Sequence, residues 1–287
     1  MNDKNIHSTY LEKEHSTFFS KGKIKWEKTE AEVWAELSDK IVEKPSGREI
    51  VLIPGVLKYV AAAVLFFAVV LGAIAFFYQK TVVCNPGEHL TVQLPDESVV
   101  QLNAESGIKY YPLKWRFGRK VFLKGEAFFK VETGKKFSVI SPEGATEVLG
   151  TSFNIYSRDE KYRVACLTGR VKVITNEKKS VILEPGSKTE LKKGELILQK
   201  NHNVENIISW TNNQFFFAGT PLREVIDEIE RQYGVTIRIQ RELDKRNFAG
   251  NFPKKYNVEE VLDFVCTAMQ INFVKQSENV FLVMENS

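Results

Sequence analysis

Residues Val60 to Tyr78 read VAAAVLFFAVVLGAIAFFY, nineteen positions with no charge, no proline and a single glycine. As a helix rising about 1.5 Å per residue the run covers about 28 Å, close to the roughly 30 Å hydrocarbon core of a bilayer. Eleven positions are Val, Leu, Ile or Phe. Each favours insertion by about 0.3–0.6 kcal/mol at mid-membrane, so together they supply on the order of 3–7 kcal/mol. A signal peptide has a short basic leader and a small-residue cleavage site, whereas 59 mostly polar residues precede this run and Phe76, Phe77 and Tyr78 end it. A helix apolar on every side also occurs in the core of a large protein, but the rest of this chain is mostly β-like and does not surround it. The run reads as one transmembrane helix, bounded at residues 58–80.

Flanking cations orient it. Lys40, Lys44, Arg48 and Lys58 lie on the amino side, and the same distance on the carboxyl side holds only Lys80, which places the amino terminus in the cytoplasm. Tyr59 and Tyr78 suit the two interfacial belts. The helix thus divides 287 residues into a short cytoplasmic segment and a large outer part, a multidomain membrane protein. A net charge of +4 is not the concentrated basic patch that nucleic acid requires, so no direct nucleic-acid partner is expected.

In the cytoplasmic segment, residues 1–57, Thr29-Glu30-Ala31-Glu32 has the form of a helix capping box. Val33, Trp34, Leu37 and Ile41 follow at helical spacing and Trp26 adds another large apolar group upstream. A segment this short builds no core of its own, so these side chains need a partner. The other face carries Glu30, Glu32, Glu36, Asp39 and Glu43. An anionic leaflet repels such a face, which favours a soluble cytoplasmic protein over the membrane surface as that partner.

Beyond the membrane the period changes to two. In residues 81–200, Leu90, Val92 and Leu94 alternate with polar positions, as do Val121 and Leu123, Phe129 and Val131, Phe137 and Val139, Phe153 and Ile155, and Val171 and Val173. Turn residues punctuate these runs at short intervals, predicting an all-β domain built as a sandwich, barrel or solenoid. Gly125 and Gly150 end apolar strands where positive φ or a close backbone is expected. Asp96 reads as closing a turn through its own side chain. Glu126 has no partner carboxylate or histidine at a recognisable spacing and reads as a charge on the solvent face.

Residues 201–287 read as a small α/β domain of two strand-helix-strand units. Thr220-Pro221 supplies a cap and first-turn proline for a helix with Leu222, Val225, Ile226, Ile229 and Tyr233 on one face; Gly234 stops it before the strand Val235, Ile237, Ile239. The pattern recurs from Asn257, with Val258, Val261, Leu262, Val265 and Met269 on the helix face and Ile271 and Phe273 in the next strand. Phe216 corresponds to Phe252 in the strand before each helix. Such a unit covers one sheet face with two helices, and at least one ring of Phe215, Phe216 and Phe217 is expected to face away from them, either as a contact site or buried against the β domain.

The outer residues also resemble a known family. Leu94-Pro95-Asp96-Glu97-Ser98-Val99-Val100-Gln101-Leu102-Asn103, RKVFLKGEAFFKV from Arg119 to Val131, Leu149-Gly150-Thr151-Ser152-Phe153-Asn154-Ile155, Leu167-Thr168-Gly169-Arg170-Val171-Lys172-Val173 and Leu183-Glu184-Pro185-Gly186 are similar to the successive motifs of FecR-type regulators. The family usually has Gly where Glu97 stands, which leaves the turn type there open. The tail, on Phe217 to Val225, Phe248-Ala249-Gly250-Asn251-Phe252 and Val258 to Leu262, resembles the domain that often follows FecR domains, itself similar to the short amino-terminal domains of secretins and TonB-dependent receptors.

The resemblance implies a single-pass inner-membrane anti-sigma factor with a periplasmic carboxyl terminus. Its cytoplasmic segment would bind an extracytoplasmic-function sigma factor, with Trp26, Val33, Trp34, Leu37 and Ile41 as the contact face. Its outer domains would receive a signal from the signalling domain of a TonB-dependent outer-membrane receptor, for which Phe215, Phe216 and Phe217 are candidates. Intramembrane or periplasmic proteases are further candidate partners, and Gly72-Ala73 in the membrane helix is a place for helix packing or local unwinding. The alternative is an envelope scaffold that docks an outer-membrane machine through its tail.

No enzyme, cofactor, catalytic or metal-binding residue is expected. His7, His15, His89 and His202 are scattered, and no nucleophile elbow, phosphate loop or paired-carboxylate motif occurs. Cys84, Cys166 and Cys266 are odd in number and widely spaced. They read as buried thiols, with one Cys84–Cys166 or Cys166–Cys266 bond as the alternative.

Overall fold

The computed structural model describes residues 27–41, 54–200, 203–254 and 257–286. Helix α1, Glu30–Ile41, starts with one half of the expected capping box, the Glu reaching back: the Thr29 amide donates to Glu32 Oε2 at 2.8 Å. The Thr29 hydroxyl donates to the same carboxylate at 2.9 Å, and the third amide is satisfied by the Thr29 carbonyl at 3.0 Å. Glu30 and Glu32 in the first turn and Lys40 in the last complement the helix dipole. Helix α2, Pro54–Phe77, has 24 residues, which at about 1.5 Å each gives about 36 Å. It begins at a proline, a residue suited to a first turn, six residues before the apolar run. Among the described residues it is the one helix long and apolar enough to cross a membrane.

Two residues after α2 the β domain begins. Its strands are β1 Lys80–Cys84, β2 Leu90–Gln93, β3 Val99–Leu102, β4 Ser106–Tyr110 and β5 Arg119–Lys130. They continue as β6 Phe137–Ser141, β7 Gly144–Val148, β8 Ser152–Arg158 and β9 Lys161–Thr168. The last are β10 Val171–Thr175, β11 Ser180–Leu183, β12 Ser187–Lys192 and β13 Glu195–Gln199. One leaf runs β1-β4-β5-β6-β7-β10-β11 and the other β2-β3-β5-β8-β9-β12-β13, so β5 belongs to both. Its first half pairs with β4 and β6, its second with β3 and β8. The two leaves face one core, in which Val100, Leu102, Val121, Phe129, Phe137, Val139, Phe153, Ile155, Val171, Val173 and Leu183 are fully buried. These include most of the alternating positions read from the sequence, because period-two residues share one face of a strand.

Gly125 stands where β5 changes leaves. Its φ is +104°, and a Cβ there would lie 2.6–2.8 Å from Ser106 atoms. Both halves of the expectation, positive φ and a close neighbour, hold at this residue. The turn before β3 also answers its question. The Glu97 amide donates to the Leu94 carbonyl at 3.0 Å and Leu94 N to Ser98 O at 2.9 Å, with Glu97 at φ +68°. This is a type I turn closed by a left-handed bulge residue, the position glycine normally fills. The turn persists with Glu97 in it, and Asp96 Oδ1 accepts from Ser98 N at 3.3 Å as expected. Glu97→Gly removes a left-handed penalty of about 1–2 kcal/mol against about 0.5–1 kcal/mol of added chain entropy. The variant is expected to unfold at a temperature a few degrees higher, by thermal denaturation followed with circular dichroism.

A 3₁₀ segment, Val204–Asn212, leads to the second domain. There the order is β14 Gln214–Pro221, α3 Leu222–Tyr233, β15 Thr236–Ile239, β16 Asn247–Pro253, α4 Val258–Met269, β17 Ile271–Ser277 and β18 Val280–Glu285. The strands form two sheets, an antiparallel β14–β16 ribbon and a three-stranded sheet β15-β18-β17, where the sequence reading had one sheet under two helices. Leu222, Val225, Ile226, Ile229, Val261, Leu262 and Val265 share the core with Ile237, Phe281 and Val283. Asn257 caps α4 by accepting from Glu260 N at 2.8 Å. For α3, Pro221 is itself the cap residue and makes no side-chain cap bond; the first amide finds the Arg246 carbonyl at 2.7 Å, so Thr220 has no capping role.

The correspondence of Phe216 with Phe252 does not hold. Phe252 is buried against Phe215 and Phe217, while Phe216 points out. The cause is a bulge in β14 between Ala218 and Thr220, where Gly219 takes φ +67°. One extra residue shifts the pleat, so the positions counted back from the helix land on the opposite face.

Candidate functional site

Two surfaces carry the candidates. On α1, Trp34 is 61% exposed, Leu37 and Ile41 are exposed and Val33 is half-buried, and no residue of the helix is buried. The positions 33, 34, 37 and 41 fall on one side at i, i+3/i+4 and i+7/i+8 spacing. Glu36 is held by Lys28 at 2.7 Å and approached by Lys40 at 4.0 Å, exposed pairs worth little. What remains is an apolar stripe beside an acidic face, uncovered among the described residues. Trp26, the fifth residue of the predicted contact, and the cations Lys44 and Arg48 lie outside the described residues. In α2, a Cβ added at Gly72 meets nothing within 4 Å, so no packing among the described residues requires that glycine.

The second surface is where the β domain meets α3, and here the sequence reading needs correction. Glu126 does lie on the outward side of β5, but α3 covers it and leaves it 7% exposed. Asn103 Nδ2 donates to Glu126 Oε2 and Asn154 Nδ2 to Oε1, both at 2.8 Å. Across the junction Gln232 Nε2 donates to Asn103 Oδ1 at 2.6 Å and to Glu228 Oε1 at 2.9 Å. Gln232 Oε1 lies 3.0 Å from His89 Nε2, and the His89 ring sits edge-on to Trp210 at 5.4 Å. Arg231 is paired with Glu228 at 3.1 Å, and its carbonyl accepts from Gly87 N at 2.8 Å. At the rim Glu224 bridges Lys161 at 2.8 Å and Arg163 at 3.5 Å. Apart from the Gln232–Glu228 and Arg231–Glu228 pairs within α3, these partners are distant in sequence, and only strand register and domain docking make them neighbours.

Burial, and then the nearby Glu228 carboxylate, push the Glu126 carboxyl above the usual carboxylate range, against the pull of Arg158 and the two asparagine amides. Asn154 Oδ1 is buried without a partner. A half-turn of that amide would present the oxygen to a protonated Glu126, an arrangement open only to the neutral acid. His89 is shifted the other way, down, first by burial and then by Lys254. An acid whose pKa is raised on folding contributes stability at low pH that is lost as pH rises through the raised value; a histidine whose pKa is lowered loses its contribution as pH falls. Glu126→Gln removes only the first effect. The unfolding free energy of the native chain is expected to fall relative to this variant with rising pH, by at most about 1.4 kcal/mol per pH unit for one proton. Denaturant melts of the two proteins from about pH 5 to about pH 9 read this difference directly; parallel profiles would mean that Glu126 is ionised throughout.

Beside the junction opens a cleft of 640 Å³, lined by Tyr156, Arg163, Lys188 and the whole of β14. Strand β14 pairs only with β16, so its second edge carries no strand partner among the described strands. Phe216, 37% exposed, lies in this cleft, whereas Phe215 and Phe217 are buried in the domain core and stacked on each other. Of the three predicted contact rings, only Phe216 is therefore presented. The cysteines Cys84, Cys166 and Cys266 are free and buried, as the preferred reading had them. Burial pushes Cys166 up to about 11 and, with help from Asp263, Cys266 to about 12. No cluster of three His, Cys, Asp or Glu side chains suited to a metal ion occurs among the described residues.

Comparison with known proteins bears on these surfaces. Residues 80–172 match the protein family described as FecR protein, and residues 214–283 match that described as FecR, C-terminal. Two crystal structures of a candidate anti-sigma factor from Parabacteroides distasonis ATCC 8503, at 2.50 Å and 1.65 Å, are similar in fold and sequence. Each is 28% identical with a TM-score of 0.67, and the alignments cover 73% and 72% of this chain and 100% of the other. No curated protein matches the chain.

Proposed function

Because the chain belongs to the FecR family, with both family domains in order behind an apolar helix, we propose that it is a single-pass inner-membrane anti-sigma factor. In this reading α1 holds an extracytoplasmic-function sigma factor in the cytoplasm and the outer domains receive a signal from a TonB-dependent outer-membrane receptor. The observation that carries it is the uncovered stripe of Val33, Trp34, Leu37 and Ile41 on a helix with no buried residue. An amphipathic helix of this kind lays its apolar face into a groove of its partner, here a surface the sigma factor needs for RNA polymerase. The similarity to a candidate anti-sigma factor over 73% of the chain supports the same role.

For the receptor, the free edge of β14 and the exposed Phe216 offer an added strand its backbone partners and one side-chain anchor. Tail resemblance to the short amino-terminal domains of secretins and TonB-dependent receptors makes a related domain the fitting occupant. Engagement there would release the sigma factor, with intramembrane or periplasmic proteases cutting the anchor and Gly72-Ala73 a place where α2 unwinds for them.

The test is co-expression of the full chain with an extracytoplasmic-function sigma factor, followed by detergent extraction and affinity purification. Retention of the sigma factor, together with silence of a promoter that depends on it, is expected. A scaffold docked on an outer-membrane machine would retain no sigma factor and leave that promoter unchanged.

A further inference from the structure

The loop joining β4 to β5, Tyr111-Pro112-Leu113-Lys114-Trp115-Arg116-Phe117-Gly118, belongs to neither surface described above. Leu113 is 55% and Phe117 84% exposed, the latter more than any apolar side chain of α2. This exposure is held in place by the rest of the loop. Trp115, between the two, is buried edge-on to Tyr110 at 5.8 Å and Phe137 at 5.9 Å. Amides of Lys114, Trp115 and Phe117 donate to Tyr111, Pro112 and Lys114 carbonyls at 2.9–3.3 Å. Immediately after the loop, buried Arg119 donates to Asp96 at 2.9 Å, to the Glu132 carbonyl at 2.8 Å and to the Lys135 and Leu149 carbonyls. A loop pinned at its centre and its end turns Leu113 and Phe117 outward together.

Its position follows from the strand register. Chain leaves α2 at Phe77 and enters β1 at Lys80, and Lys80 pairs with Tyr110, the last residue of β4. The loop therefore emerges from the same end of the β domain as the membrane helix. Lys114 Nζ stands 3.6 Å from the Phe76 ring centroid and 5.2 Å from that of Phe77. Exposed Arg116 and Lys80 add positive charge around the two apolar side chains. Aromatic and aliphatic tips ringed by cations, at the level where an apolar helix ends, have the composition of an interfacial membrane contact.

We propose that this loop is a second membrane anchor, in which Leu113 and Phe117 enter the outer leaflet of the bilayer that α2 crosses while Lys114 and Arg116 meet lipid phosphate. It rests on the reading of α2 as a spanning helix. The two contacts together fix how the β domain is rotated about the helix axis, which a single tether leaves free.

The test uses the full chain in vesicles of phosphatidylethanolamine and phosphatidylglycerol, with a nitroxide label at Phe117→Cys, at Leu113→Cys, at Val69→Cys within α2, or at Lys172→Cys, an exposed polar position on strand β10. Collision accessibility to oxygen relative to a water-soluble nickel chelate reads depth. Labels at 113 and 117 are expected to favour oxygen severalfold over the label at 172, approaching that at 69. If 113 and 117 match 172 while 69 stays in lipid, the anchor is refuted and the spanning helix stands. Should 69 also prove water-accessible, both fail.

Discussion

Replacing Trp34 and Leu37 together by Ala is expected to weaken capture of the sigma factor by at least about 30-fold, the equivalent of about 2 kcal/mol for loss of an interface hot spot. Trp is the residue whose truncation most often costs this much, and here it stands beside Leu37 one turn away on a stripe that nothing in α1 covers. Alanine is the strongest helix former, so the helix and its Thr29–Glu32 cap survive the change. Glu36→Ala, which removes only exposed ion pairs, is the matching control and is expected to alter capture by less than about 1 kcal/mol. Titration of the purified full chain with labelled sigma factor gives the affinities, and a dependent promoter should rise with the double variant alone. Undiminished capture by the double variant would remove this face from the interaction.

Gly125→Ala is expected to destabilise the β domain by about 2–6 kcal/mol, combining a left-side φ that Ala tolerates poorly with overpacking against a neighbouring strand. At φ +104° the new Cβ would meet Ser106 Oγ, Cβ and Cα at 2.6–2.8 Å. Ser106 cannot simply turn away, because its Oγ accepts from Glu126 N at 3.0 Å and from Arg158 Nη2 at 3.0 Å. Since a domain is stable by only about 5–15 kcal/mol, such a change takes a large share of the total. Denaturant unfolding of the variant should show a midpoint well below that of the native chain. An unchanged midpoint would mean that β5 changes leaves without needing the glycine.

The elements that were legible in the sequence are those fixed by local period. Val121, Phe129, Phe153 and Val173 alternate and are buried; Leu222, Val225, Ile226 and Ile229 recur at helical spacing and are buried; Asn257 caps α4 where expected. The readings that failed depend on a distant segment in one case and on a break in the strand's own pleat in the other. Glu126 sits on the outward face as its alternation says, yet a helix about a hundred residues later in the chain closes over it, and no local pattern encodes that cover. Phe216 and Phe252 looked equivalent because counting back from each helix assumes an unbroken pleat; the bulge at Gly219 breaks it. On α1 the positions Val33, Trp34, Leu37 and Ile41 were legible because helical spacing alone sets them on one side, and nothing in the described chain covers them.

Only Tyr78 and Gln79 separate the end of α2 from the start of β1. In mechanical terms the connection has no slack: three Cα–Cα steps extend to about 11 Å at most. Any pull applied to the outer domains from above therefore arrives almost at once at β1, an edge strand whose one strand partner is β4. On the proposed spanning reading, peeling β1 from β4 lengthens the chain under load and exposes an extended segment that begins at Lys80. A tether this short turns the outermost strand of the β domain into the fuse of the connection.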